Sequence, residues 1–385
     1  MMGYPRADGR KGIRNAVAVV YLVECAHFVA SEIALRFRGR DVQVIGFTGC
    51  YPNLYAHGVL ERLCTHPNVG AVLFVSLGCE GFDRHRLREA VTASGRPTET
   101  VVIQASGGTA GAIGVGAAWI EAVLPALAAA PIAPMTAADL VIGTICGGSD
   151  GTSGLTANPA IGVAFDRLVE AGAACIFSET GELIGCEPFM AARAATPALG
   201  EAIVGAVAKA ALYDHALGHG SFAPGNADGG LTTQEEKSVG AYAKSGSAPI
   251  IGLLQPGTQP PKGGLYLMDD TPDGPPRHGF AQLNDSTKLA ELAASGAHLI
   301  LYSTGRGSVL GSAIAPALKI CANPDTYRRM AGDMDVNAGR ILEGEADLDA
   351  VGAEVVAAVP ATAAGARAKS ETPRPHGFVP GYKTC

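Results

Sequence analysis

Three cysteines occupy positions from which thiolates could meet a ligand. Cys50 lies three residues past an apolar run that ends at Phe47, Cys79 four past Val75, and Cys146 two past Thr144. Each is beside glycine, in Thr48-Gly-Cys50, Gly78-Cys-Glu80 and Cys146-Gly-Gly148. In an open parallel sheet the carboxyl ends of the strands form the ligand crevice, and side chains just beyond several strands converge there. Glycine permits the tight turns and close backbone approach such a crevice needs. Three converging thiolates would make a soft anionic site for iron or zinc, with one coordination position open. The opposing reading is cysteine as a small core hydrophobe. It suits Cys64, at a helix end, and Cys175, within a strand.

Polar residues gather after other apolar runs. Ser149, Asp150, Thr152 and Ser153 follow Cys146; Asn226, Asp228, Thr232, Thr233, Glu235, Glu236 and Lys237 follow a Gly/Pro-rich stretch. Thr304-Gly-Arg-Gly-Ser308 follows a third run, and an arginine between two glycines suits bidentate capture of a carboxylate or sulfonate. His27, His57, His66 and His219 each read as solvated or capped side chains. Asp333-Met-Asp-Val-Asn337 starts like a calcium loop, but Ala338 and Gly344 stand where the bend and the bidentate acid belong, so these acids read as helix caps. No phosphate loop, His-Glu-x-x-His or Cys-x-x-Cys is present, and Gly107–Gly111 does not match the dinucleotide fingerprint.

The elements that would position these residues alternate. β-rich runs at 16–22, 42–47, 71–75 and 100–103 are separated by helical spacing at 25–36, 54–63, 83–93 and 109–128. After a Pro-rich link at 130–135 a second alternation begins. Its strands fall at 140–144, 174–177, 249–254 and 299–302, its helices at 160–171, 191–212, 287–295 and 348–359. Such alternation predicts an α/β fold, two Rossmann-like, mostly parallel sheets covered by helices. It divides the chain into an N-terminal domain (1–130), a C-terminal catalytic domain (131–360) and a mobile tail (361–385). Long Gly/Pro/Asp-rich loops are expected at 218–230 and 255–285.

Composition narrows the partners. Hydrophobic residues make up 48% of the 385, and 29 basic against 36 acidic residues give a net charge of −7. No basic tract appears and aromatics reach only 6%, which argues against nucleic acid. No uninterrupted apolar stretch has the roughly 18–20 residues of a membrane span, so no membrane partner is expected. Arg6, Arg10, Lys11 and Arg14 ahead of the run 16–23 mimic a secretory signal, but Glu24 and His27 interrupt it. Nine widely spaced cysteines in a chain of this size read as reduced thiols of a cytoplasmic protein.

Taken together, several ordered motifs resemble the altronate/galactarate dehydratase family, over about residues 3–355. They include Gly3-Tyr-Pro-Arg-Ala-Asp-Gly-Arg-Lys-Gly-Ile-Arg-Asn15, His66-Pro-Asn-Val-Gly-Ala-Val72, Gly78-Cys-Glu80 and Gly147-Gly-Ser-Asp150 with Ser153-Gly-Leu-Thr-Ala-Asn-Pro159. Ser178-Glu-Thr180, Pro224-Gly-Asn226, Gly229-Gly-Leu-Thr-Thr233, Glu235-Glu-Lys-Ser238, Thr304-Gly-Arg-Gly-Ser308 and Asp333-Met-Asp-Val-Asn-Ala-Gly339 continue the series in order.

The resemblance implies a carbon–oxygen lyase: β-elimination that turns an aldonate or aldarate into a 2-keto-3-deoxy acid, with iron(II) or another divalent metal. A relative, the large subunit of sulfolactate sulfo-lyase, expels sulfite, which keeps a carbon–sulfur lyase as the alternative; a ligand-binding or assembly subunit is the non-enzymatic one. It further implies a separate small β-clip subunit, since the motifs begin at residue 3, and an oligomeric assembly. On this reading Cys50, Cys79 and Cys146 bind iron as a single ion or a cluster. Arg306, Ser149 and Ser308, with Asn226 and Thr232, hold the hydroxy-acid substrate; Asp150, Glu80 and Lys237 are candidate bases. One departure is Gly46-Phe-Thr-Gly-Cys-Tyr-Pro-Asn53, where the dehydratases carry a His-rich Gly-Cys-Gly motif, and this leaves a smaller or differently charged substrate open.

Overall fold

The computed structural model describes residues 1–217, 224–273 and 284–371. Continuous apolar runs become fully buried parallel strands, as both faces of each sheet are covered. The smaller sheet has four parallel strands, Val42–Gly46, Ala16–Tyr21, Val69–Ser76 and Thr98–Val102, in that spatial order. Alternate residues divide between two cores. Val17, Val19 and Tyr21 face the helices Glu24–Leu35 and Gly108–Ala128, while Ala18 and Val20 face Leu54–Cys64 and Arg84–Ala93.

The larger sheet has seven strands, all parallel. Their order is Ile250–Leu254, Gly264–Met268, Ala174–Phe177, Val141–Cys146, Leu299–Thr304, Ala317–Cys321 and Val336–Asn337. The chain leaves Val141–Cys146 toward one edge and returns with Leu299–Thr304 on its other side. The strand order therefore reverses between these two strands, and the crevice for a ligand opens beyond their carboxyl ends. The helices Ala157–Glu170 and Leu348–Ala363 cover one face. On the other face Asp285–Ala294 packs against Leu54–Cys64, so a single core joins the two sheets.

Some expectations need correction. The 255–285 stretch contains the strand Gly264–Met268, and the 218–230 stretch contains the helix Pro224–Asp228; residues 218–223 (with His219) and 274–283 lie outside the described residues. The helix expected at 191–212 is two, Glu187–Ala192 and Pro197–Leu217, because Pro197 starts a new helix. The packed chain does not end at 361: Ala368 and Ser370 are buried, and Glu371 forms a buried ion pair with Arg14 at 2.9 Å. Asp335 caps no helix but accepts from the Lys319 and Lys369 amides. Gly108–Ala128 is, by length and composition alone, apolar enough to cross a membrane, although its Ala112, Ile113, Ala117 and Ile120 pack onto the smaller sheet.

Asn68 and His298 fasten the two sheets together. The Asn68 side-chain amide donates to the carbonyls of His298 (2.9 Å) and Ile314 (3.0 Å), and its oxygen accepts from the Ile13 amide. His298 Nδ1 accepts from the Val141 amide, so its Nε2 carries the proton toward the Lys11 carbonyl at 2.8 Å. Burial lowers the folded-state pKa of His298 to about 4. The unfolded chain, with an ordinary histidine, binds the proton first as pH falls. His298 therefore leaves stability unchanged above about pH 6.5 and costs progressively more down to about pH 4, reaching about 3 kcal/mol. Urea-unfolding midpoints should fall across this window, and less steeply in His298→Gln; parallel profiles would contradict the assignment.

Candidate active site

The loops after Val141–Cys146 and Leu299–Thr304 meet where the strand order reverses. The Gly148 carbonyl accepts from the amides of Gly305 (3.1 Å) and Arg306 (2.8 Å), and the Gly147 amide donates to the Ser303 carbonyl. Gly147 has to be glycine: a Cβ there would lie 2.0 Å from both the Tyr302 hydroxyl and an Asp285 oxygen.

Cys146 ends its strand pointing into a buried polar centre. Among the described residues, its sulfur and one oxygen each from Glu179 and Glu182 form the group of His/Cys/Asp/Glu ligand atoms lying within 4.8 Å of one another. Two lysines close the centre. Lys237 Nζ lies 3.2 Å from Cys146 Sγ, 3.0 Å from Ser149 Oγ and 2.8 Å from Glu182. Lys244 Nζ lies 2.9 Å from Cys146 Sγ and pairs with Glu179, whose carboxylate also accepts from the Cys146 amide at 2.9 Å. Two ammonium groups thus face two carboxylates around one sulfur, in a setting where unpaired charge would be costly.

Local sequence explains how these groups arrive. Thr233 and Glu236 form a reciprocal capping box that starts the helix Gln234–Ala243 and sets its rotation. Lys237 and Lys244, seven residues apart, then point the same way. Gly240 lets this helix approach closely, since a Cβ there would stand 3.1 Å from the Gly154 Cα. Glu179 follows the strand Ala174–Phe177 in a left-handed conformation, φ 74°, which costs a non-glycine residue energy and marks functional sites. Asp270 holds that turn. It accepts from the amides of Glu179 (3.1 Å) and Thr180 (3.2 Å) and from the Thr180 hydroxyl (2.5 Å), and is itself paired with Lys288.

The electrostatics follow from burial and mutual charge. Burial, then Glu179 and Glu182, push the Cys146 thiol up to about 12, against the pull of the two lysines. Burial and the adjacent Glu182 raise Glu179. For Glu182, burial acts upward, but Lys237 and then Lys244 outweigh it and hold the carboxyl below its ordinary value. Burial would lower both lysines, yet the sulfur and the carboxylates keep them protonated above the usual range.

The expected site residues divide. Cys146, Ser149 and Lys237 belong to the centre. Asn226 supports it, donating to the Ser149 carbonyl at 2.8 Å. Arg306 is exposed and donates to the Gly225 carbonyl, while Ser308 bonds to the Tyr302 hydroxyl. Asp150 organises its loop: its carboxylate accepts from Thr152, Ser153 and Asn323. Thr232 is exposed and serves the capping carboxylate of Glu236. Glu80 is tied to Ser76 and the Gly78 amide in a loop of the smaller sheet. Cys50 and Cys79 are exposed on neighbouring loops of that sheet, joined by the Gly81 amide and the Cys50 carbonyl at 2.8 Å, and do not join Cys146 in its ligand group. They follow strands of the smaller sheet, whereas Cys146 ends a strand of the larger one. Glu179 lies within the Ser178-Glu-Thr180 motif, Glu182 carries no local sequence signal, and the seven-residue interval from Lys237 is the one signal for Lys244.

A doubly covered parallel sheet with a buried, charge-balanced Cys/Glu/Lys centre at its switch point is the architecture of an α/β enzyme. The chain matches two parts of one family: residues 3–128 match "D-galactarate dehydratase/Altronate hydrolase, second domain" and residues 137–384 match "D-galactarate/Altronate dehydratase, C-terminal". The protein belongs to the D-galactarate/altronate dehydratase family. It is 31% identical to the (2R)-sulfolactate sulfo-lyase subunit beta of Chromohalobacter salexigens, over 96% of this chain and 94% of that one. It is 29% identical to the altronate dehydratase of Escherichia coli, over 89% of this chain and 70% of the relative. Its identity to the galactarate dehydratase (L-threo-forming) of Escherichia coli is 35%, over 56% of this chain and 40% of the relative. These relatives make it a lyase, of the carbon–oxygen kind or, alternatively, the carbon–sulfur kind.

Proposed function

We propose that this chain is the large catalytic subunit of an enzyme that eliminates water from a small hydroxy acid, converting an aldonate or aldarate to a 2-keto-3-deoxy acid. The observation that carries the reading is the paired Lys237/Glu182 and Lys244/Glu179 centre around Cys146 at the sheet's switch point. Elimination requires removal of a weakly acidic proton next to a carboxylate and stabilisation of the enediolate charge that builds up. Lys237 is the candidate base that belongs to the centre, and Ser149 orients it. Burial favours the neutral form of Lys237, but the neighbouring anions outweigh it and hold the ammonium above its ordinary range, so action as a base requires that anionic charge to be offset.

The donor set suits a metal once the Lys237 and Lys244 ammonium groups, which hold all three donors in this structure, give way to the ion. One thiolate and two carboxylates suit a borderline divalent ion, and three protein donors leave a coordination position free. An ion held by Cys146, Glu179 and Glu182 would supply a Lewis acid for the substrate oxygens and offset the negative charge that keeps Lys237 protonated. Iron is the metal we assign, in place of ligation by Cys50 and Cys79. The reading also carries a separate small β-clip subunit and a cytoplasmic, oligomeric enzyme; the naming of one relative as a subunit supports the multi-subunit part.

Sulfite release from sulfolactate is the second reading, supported by alignment with the sulfo-lyase subunit over nearly the whole of both chains. A panel of aldonates, aldarates, tartrates and sulfolactate, assayed anaerobically with iron(II) and the small subunit for 2-keto acid and sulfite, separates the two. Keto acid without sulfite is the expected result. Sulfite from sulfolactate alone would establish the second reading, and no product from any member would contradict both.

A further inference from the structure

Beside the Cys146 centre and its two glutamates lies a third carboxyl group, which the proposed base and metal chemistry does not use. Asp285 opens the helix Asp285–Ala294 and is half-buried at the crevice. The hydroxyl of Tyr302, a residue fully buried in the adjoining strand, donates to its Oδ2 at 2.5 Å. This pair crosses directly over Gly147, the residue after Cys146, and leaves no room for a Cβ there. The Tyr302 ring is fixed from behind by the buried Lys319, whose Nζ lies 5.3 Å from its centroid. Burial raises the Asp285 carboxyl, while Tyr302, Lys237 and Lys288 pull it down and Glu182 adds to the rise. Asp285 therefore shares the electrostatic field of Glu182 and Lys237, with its carboxyl held above the ordinary carboxylate value.

We propose that Asp285 is the proton donor to the departing hydroxyl of the elimination, with Tyr302 as the residue that positions it. The inference rests on the hydroxy-acid reading given above. When the neutral amine of Lys237, the base proposed above, takes the α-proton and later returns it to solvent, the Cα–H electron pair becomes the new C=C bond and the Cβ–O pair leaves with the oxygen. That oxygen takes the Asp285 proton and departs as water, leaving a carboxylate that solvent reprotonates between turnovers. The enol product tautomerises to the keto acid. Tyr302 donates to one carboxyl oxygen throughout, so the acidic O–H is borne by the other. A positioned acid of this kind contributes about 10²–10⁴-fold to rate.

The test compares leaving groups. Wild type, Asp285→Asn and Tyr302→Phe are assayed on the hydroxy acid found in the panel and on its analogue with chloride in place of the β-hydroxyl, since chloride leaves without a proton. Asp285→Asn should lose about 10²–10⁴-fold in kcat on the hydroxy acid, with KM nearly unchanged, and less than about 10-fold on the chloro acid. Tyr302→Phe, which deletes a single oxygen, should show the same asymmetry with a smaller loss. Equal losses on both substrates, or full activity of Asp285→Asn on the hydroxy acid, would overturn the assignment while leaving the lyase reading intact. Wild-type turnover of sulfolactate alone would also overturn it, because sulfite needs no proton to leave; inactivity of the wild type would remove the function and the donor together.

Discussion

Replacing Lys244 with methionine is expected to lower the melting temperature by about 5 °C and to abolish turnover. Lys244 is 1% exposed and its ammonium serves both the Glu179 carboxylate and the Cys146 sulfur. Methionine preserves much of the volume but leaves Glu179 charged, buried and next to Glu182. Breaking a buried pair from one side costs about 3–5 kcal/mol, because the remaining charge stays without compensation. Glu179 also anchors the Cys146 amide and occupies a left-handed turn, so the strain of that turn loses part of its support. The double variant Lys244→Met/Glu179→Gln removes both charges and should recover more than half of the lost stability without recovering activity. Thermal unfolding of the two variants checks this. Equal destabilisation in both would show that Lys244 matters for packing rather than for charge.

The smaller sheet was legible because its strands are unbroken apolar runs and its helices carry regular spacing, as in 16–21 and 24–35. Three strands of the larger sheet were not, one of them the two-residue Val336–Asn337. Gly264–Met268 is embedded among glycine, proline and aspartate, and Ala317–Cys321 carries Lys319 in its middle. Lys319 enters a sheet core because its ammonium finds the Leu310 carbonyl and the Tyr302 ring, partners that exist only after folding. The site shows the same division. Cys146, Ser149 and Lys237 could be found from their position near strand ends or within a polar segment. The pairing of Glu182 with Lys237, and of Glu179 with Lys244, joins segments more than fifty residues apart and leaves no local trace. Glycine flanks made Cys50, Cys79 and Cys146 look equivalent, yet the first two belong to the other sheet.

That last distinction carries the second large effect. Cys146 is buried, within hydrogen-bond distance of Glu182 and both lysines, and shares a potential metal position with two carboxylates. Serine at this position keeps a small polar group but removes the soft donor, and a hydroxyl is far less acidic than a thiol. Cys50 and Cys79 are exposed, and serine there replaces one solvated polar group with another. The direct measurement is anaerobic iron content and 2-keto acid release for Cys146→Ser and for Cys50→Ser/Cys79→Ser, side by side with wild type. Cys146→Ser should lose bound iron and at least about 10³-fold in turnover, in the range seen when a member of a catalytic unit is removed. The double variant should retain both. Iron and turnover that vanish with Cys50 and Cys79 but survive the loss of Cys146 would contradict the account.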